Sequence, residues 1–215
     1  MENLYDTLIT DAFVRLCQKK ALTKITIQDI ANESNVARRT IYNHFEDKYA
    51  IMRFIYERRI TEARELFDQS SSIAEPLTNY LNVCYKYPTF YKSLISYKGQ
   101  DDYIKNLIQD VSDGFTEIIR VNVGEGYLTE DILFQIRVYV KSFASNFVEW
   151  LQDGTKISAD LFAFRMLKCI PKELSILLDV AQSNRKTRTE ASRIAAAGRP
   201  ASRSSSGTGK TGKSD

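Results

Sequence analysis

The chain has 215 residues, of which 43% are hydrophobic and 11% aromatic, enough apolar material for one large core or two modest ones. Its net charge of +3 is unevenly spread: +2 over residues 1–60, −5 over 61–184 and +6 over 185–215. The single histidine and the three widely spaced cysteines, Cys17, Cys84 and Cys169, exclude a His/Cys metal cluster and a disulfide framework, and point to reduced, buried thiols with no metal and no cofactor.

Helical spacing dominates from the start. Leu4, Leu8, Ile9, Ala12, Phe13, Leu16 and Cys17 form the apolar stripe of a first helix over about 2–20. Thr26 then precedes a short second helix, with Asp29 three residues on, a capping box in which Asp replaces Glu. That helix ends near Ser34, where Asn35 tolerates the left-handed conformation a tight turn needs. A third helix covers about 37–45. Asp47 caps a fourth that runs to about Phe67 with Tyr49, Met52, Ile55, Tyr56 and Ile60 on one side. DQSSSIA, 68–74, is a polar break. Further helices follow at about 75–87, 88–97 with Pro88 at its start, 100–122, 129–153 and 158–170, and a last short one at 171–182 opened by Pro171.

The pattern predicts an all-α protein: an N-terminal three-helix unit over 1–48, a C-terminal helical bundle over 49–184, and a basic tail over 185–215. The tail lacks an apolar stripe and is expected to be disordered. Within it GTGKTGKS, 207–214, matches a phosphate-binding loop by letters. A strand must lead into such a loop and a helix must follow it, and RPASRSSS before it and the single residue after it offer neither, so the match is expected to be chance. No stretch reaches the roughly 18 uncharged apolar residues of a membrane span. MENLYDTLITDAF is acidic and unlike a signal peptide. The expected compartment is the cytoplasm.

Residues 26–48 carry the chemistry. Two short helices joined by a tight turn and braced by a long first helix make a helix-turn-helix. On a 3.6-residue wheel Val36, Ile41 and Phe45 of the third helix point inward, while Arg38, Arg39, Tyr42 and Asn43 point outward. Arg pairs bidentately with guanine and Asn with adenine, and a tyrosine suits a thymine methyl or a phosphate. Lys48 and the backbone amides around it suit a phosphate. Each residue alone has an ordinary reading: paired arginines make a solvated face, Tyr42 packs half-buried, and the lone His44 is a structural hydrogen-bonding group. The constellation is far more specific.

KITIQDIANESNVARRTIYNHFEDKYAIMRFIYE closely resembles the DNA-binding domain of the TetR family of transcriptional regulators, through Thr26, Asp29-Ile30-Ala31, Val36, Thr40-Ile41-Tyr42, His44-Phe45 and Lys48. The resemblance implies that the third helix enters the major groove. It also implies that Thr40, Tyr42, His44 and Lys48 grip phosphates, that Arg38, Arg39 and Asn43 approach bases, and that Gln28 touches DNA. There are departures. Asn35 and Ala37 stand where many members have Gly and Ser; Ala37 cannot cap its helix, a loss of about 1 kcal/mol. Arg39 stands where many have a small residue, so a different operator is expected.

YPTFYKSLIS and FVEWLQDG resemble the C-terminal domain of a branch of the family that includes dihydroxyacetone-kinase operon activators. The resemblance implies a homodimer paired through the last two long helices, with Phe134, Val138, Phe143, Phe147, Trp150, Leu151, Leu161, Phe162, Phe164 and Leu167 as apolar candidates, Phe143, Phe147, Trp150 and Phe162 foremost for the interface, and the monomer's own core as their other reading. It also implies a switch: Tyr80, Cys84, Tyr91 and Tyr103 are candidates for a small-molecule pocket, or else plain core. The expected protein is a regulator, acting as a repressor, that binds double-stranded operator DNA at an inverted repeat under control of a small-molecule effector or a protein partner. The alternative is a helical protein-interaction adaptor that kept the fold without strong DNA binding. Nothing in the residues supports an enzyme.

Overall fold

The computed structural model describes residues 3–70, 72–97 and 102–197, with side chains described as far as residue 191. Among these residues all regular structure is helical. The helices are α1 (Leu4–Lys19), α2 (Ile27–Ser34), α3 (Arg38–His44), α4 (Lys48–Gln69), α5 (Ala74–Lys86), α6 (Pro88–Ser96), α7 (Tyr103–Asn122), α8 (Glu130–Gln152), α9 (Ala159–Lys168) and α10 (Lys172–Ala197). Tight 3-10 turns at Leu22–Lys24 and Glu125–Tyr127 complete the set.

The helix starts follow the local chemistry read from the sequence. Thr26 and Asp29 form the reciprocal capping box: Asp29 N–H donates to Thr26 Oγ1 at 3.1 Å and Thr26 N–H to Asp29 Oδ2 at 2.8 Å. Asp47 accepts from the Ala50 amide at 2.7 Å and Ser158 caps α9. Asn35 adopts φ 56°, the left-handed turn between α2 and α3. Ala37 offers α3 no side-chain cap. Gly124 and Gly154 occupy positive φ, 130° and 81°, where the chain reverses around α8.

The N-terminal unit is not a separate bead. Phe13 of α1 meets Phe90 of α6 edge-on at 6.2 Å, and Tyr49 of α4 stacks on Tyr97 just past α6 at 4.7 Å. Ile9, Phe13, Ile30, Ile41 and Ile51 are fully buried, in one apolar core continuous with that of α5 to α9. Burying each such side chain contributes roughly 1.5–3 kcal/mol, which holds the short α2 and α3 in place although neither could persist alone.

Two expectations need correction. The last helix does not stop near 182, nor does an irregular tail begin at 185: α10 continues to Ala197. Residues 185–190 of it are all polar but anchored laterally. Arg185 donates to the carbonyls of Phe67 and Ser70 and lies over the Phe67 ring at 4.3 Å, and Asn184 and Arg188 both bond Asn122. A missing apolar stripe therefore did not mean a missing helix. Residues 198–215, including GTGKTGKS, lie outside the described residues. Cys17 and Cys84 are buried as expected, but Cys169 is exposed at the end of α9.

Candidate nucleic-acid interface

The seven-residue α3 packs through Ile41, which is fully buried, with Val36 and Phe45 buried at either end. Arg38, Arg39, Tyr42 and Asn43 are exposed, and Thr40 is half-buried. The outward face thus carries two guanidiniums, a phenol and a carboxamide on a helix held rigidly from behind. Gln28 at the start of α2 is also exposed, its amide donating to Asn32 Oδ1 at 2.9 Å.

His44 is half-buried, and its Nδ1 lies 2.7 Å from Asp6 Oδ1 of α1. The pair ties the end of α3 to α1, so only the other ring nitrogen can serve a phosphate. Lys48 departs further from the sequence reading. Its ammonium donates to the carbonyls of Leu22, Thr23 and Ile25 at 2.9, 3.1 and 2.9 Å. All three donors are thereby used on the turn that leads into α2. Partial burial lowers its pKa, against the field of Asp47. In this structure the Lys48 ammonium pins the α1–α2 connection.

Ion pairs fix α2 against α1. Glu33 joins Arg15 and Lys19 at 2.9 and 3.0 Å, and Asp29 joins Lys20 at 2.7 Å. Hydrogen bonding from Lys20, then from Thr26, holds the Asp29 carboxyl down at about 2. Arg15 and Lys19 likewise hold Glu33 below the usual carboxylate range. Exposed pairs of this kind contribute little stability singly, but together they orient the two helices.

The predicted pocket and interface residues fall elsewhere than expected. A cavity of about 840 Å³ lies between α4, α5, α7 and α8. Of the four pocket candidates only Tyr80 lines it. Cys84, Tyr91 and Tyr103 are packed core behind it: the Tyr80 and Tyr103 hydroxyls bond each other, Tyr91 meets Tyr103 edge-on, and burial pushes the Cys84 thiol up. Phe143, Phe147, Trp150 and Phe162 are all buried within the monomer, with Trp150 stacked on Phe162 at 5.0 Å and Phe143 on Phe147 at 6.0 Å. Phe143 and Trp150 hold Phe162 of α9 against α8, while Phe147 packs against Tyr80 and Tyr103. On α8 and α9 the large apolar residues left exposed are Phe134 (59% exposed) and Val138, and Leu161 and Phe164 (54%). Sequence reasoning missed the cavity walls Asp110 and Gly114 of α7; the signal available was an isolated glycine inside a long helical pattern.

Residues 9–53 match a family model described as bacterial regulatory proteins, tetR family, and residues 71–172 match one described as a transcriptional regulator C-terminal region. No curated protein matches the sequence. Among solved structures the fold is similar to the dihydroxyacetone kinase operon activator DhaS: TM-score 0.66, 16% identity, 80% of this chain and 97% of that one covered. More distant likenesses are the TetR family repressor AlkX from Dietzia sp. strain DQ12-45-1b (TM-score 0.48, 14% identity, 78% and 97% covered) and NalD of Pseudomonas aeruginosa (0.47, 17%, 77% and 94%). With the matched N-terminal segment holding the helix-turn-helix and the matched C-terminal segment holding the bundle behind it, the chain belongs to the tetR family of bacterial regulatory proteins and is a DNA-binding transcriptional regulator.

Proposed function

We propose that the protein binds an inverted-repeat operator in the cytoplasm as a homodimer, each subunit laying α3 in one major groove, and that occupancy of the cavity by a small molecule, or contact with a protein partner, sets operator affinity. Repression is the proposed direction. The observation that carries the DNA reading is the outer face of α3, where Arg38, Arg39, Tyr42 and Asn43 stand exposed over a fully buried Ile41. Arg38, Arg39 and Asn43 read base edges; Tyr42, Thr40 and the second nitrogen of His44 face the backbone, with Gln28 beside them. Lys48 supports this surface from behind. Pairing of two chains is supported by the exposed apolar residues Phe134, Val138, Leu161 and Phe164 on successive helices, and a two-fold dimer matches two half-sites. No helix among the described residues is long and apolar enough to cross a membrane.

Footprinting on the DNA upstream of the protein's own coding sequence tests this. The expected result is a protected inverted repeat, bound with an affinity that falls steeply as salt rises. Arg39→Ala should lose roughly 1–3 kcal/mol of base discrimination at one position per half-site. Unchanged operator affinity in the Arg38→Ala, Arg39→Ala double variant would overturn the readout assignment. A protein that prefers no site over random DNA is instead a protein-contact adaptor.

A further inference from the structure

The cavity has a chemical character that its size alone does not convey. At about 840 Å³ it lies within the range of small-molecule sites, roughly 300–1,000 Å³. Five aromatic side chains line it: Phe67, Tyr80, Phe115, Tyr139 and Phe143. So do four carboxylates, Asp68, Asp110, Asp113 and Glu117, against two guanidiniums, Arg64 and Arg120, a balance of −2. Arg120 is engaged at 2.6 Å with both Glu117 and Glu125. Arg185 reaches in from α10 to Asp68 at 3.2 Å, and the lining remains negative with it counted. Ring faces and carboxylates attract the same kind of charge.

Asp110 is the carboxylate best placed to use this. Its side chain is one-third exposed, and its Oδ2 accepts from the buried Tyr56 hydroxyl, which fixes its direction. Among the described residues its Oδ1 has only Arg64 at 3.5 Å, too long for a strong charge-assisted hydrogen bond. One helical turn on, Gly114 lines the same cavity, and a Cβ built there meets nothing within 4 Å. Glycine inside a helix is destabilising; here its lack of a side chain leaves open space beside Asp110.

We propose that the cavity takes a lipophilic monocation: an apolar body bearing an amine or onium group, with its charge held by Asp110 and its body against the aromatic walls. The inference rests on the effector reading above. Calorimetric titration with tetraphenylphosphonium and tetraphenylborate, which share size and shape and differ in the sign of charge, tests it on the full chain. The cation should bind at least tenfold more tightly than the anion. Asp110→Asn should cut cation affinity about tenfold and leave the anion unchanged; if that variant melts below the assay temperature, Asp113→Asn should narrow the same ratio. Gly114→Leu puts a side chain into the open space beside Asp110 while favouring the helix, and should weaken cation binding strongly without lowering the melting midpoint.

Equal or tighter binding of the anion, cation binding unaffected by Gly114→Leu, or binding of neither probe overturns the proposal. Operator affinity measured with each probe separates the two readings. If the anion binds better and releases DNA, effector control stands and the cationic class falls. If the cation binds in the cavity and operator affinity does not move, the cationic class stands and effector control falls.

Discussion

Helices α3 and α8 each carry one apolar and one polar side, yet only α3 could be read correctly from its spacing. α3 is short and packs from behind, so the residues opposite Ile41 have nowhere to go but outward. α8 has neighbours on several sides: Phe115 of α7 meets Tyr139, Tyr80 and Tyr85 of α5 meet Phe147 and Trp150, and Phe162 of α9 stacks on Trp150. Its largest aromatics went to the core, and what remained outside was Phe134, under the Arg137 guanidinium at 5.8 Å, together with Val138. Apolar size marks a buried position; it does not say whether the partner is the same chain or another.

The sharpest way to break that contrast is Phe147→Ala. With Phe147 fully buried among Tyr80, Tyr103 and Phe143, the loss should be roughly 3–5 kcal/mol in chemical unfolding. A loss below about 1 kcal/mol would mean that Phe147 is not core. The complementary change, Phe134→Glu with Phe164→Glu, should leave the helical content of the monomer intact and weaken self-association by about 2–4 kcal/mol, seen as a shift to monomer in sedimentation. A dimer that survives this pair is built on another face.

Lys48→Ala contrasts the pin with the reading face. Removing the ammonium from three carbonyls should cost about 1.5–3 kcal/mol of stability. The slope of log affinity for DNA against log salt should stay at the wild-type value, whereas a phosphate contact would lower it by about 1.

The smallest effect concerns the α2 cap. Thr26→Ala should cost about 1 kcal/mol in thermal or urea melts at neutral pH. Asp29 adds an acid dependence of defined sign. Its folded-state pKa is depressed to about 2, so its contribution is present above the ordinary value of about 3.9 and is lost as pH falls through about 2. Urea melts between pH 2 and 5 should show that loss, and Asp29→Asn should remove it.

Helix count, helix starts and the exposed side of α3 were legible because each depends on residues a few positions apart: Thr26 with Asp29, Asn35 at the turn, Ile41 against Arg38 and Tyr42. The targets of long side chains were not. Lys48 and His44 look alike in the sequence as phosphate contacts, and each is captured by backbone or side chain some 23 to 38 residues away in sequence. α10 outlasted its apolar stripe because Arg185 and Arg188 found partners on α4 and α7. The cavity likewise exists only where α4, α5, α7 and α8 fail to close on one another, partly across a glycine with no side chain to offer. The sequence by itself determined an all-α DNA-binding regulator whose third helix has one buried and one exposed side, because capping, periodicity and a short motif are local. Which aromatics are core, which cations are pinned and what the cavity can hold were decided by tertiary packing, because those contacts join residues that no local pattern relates.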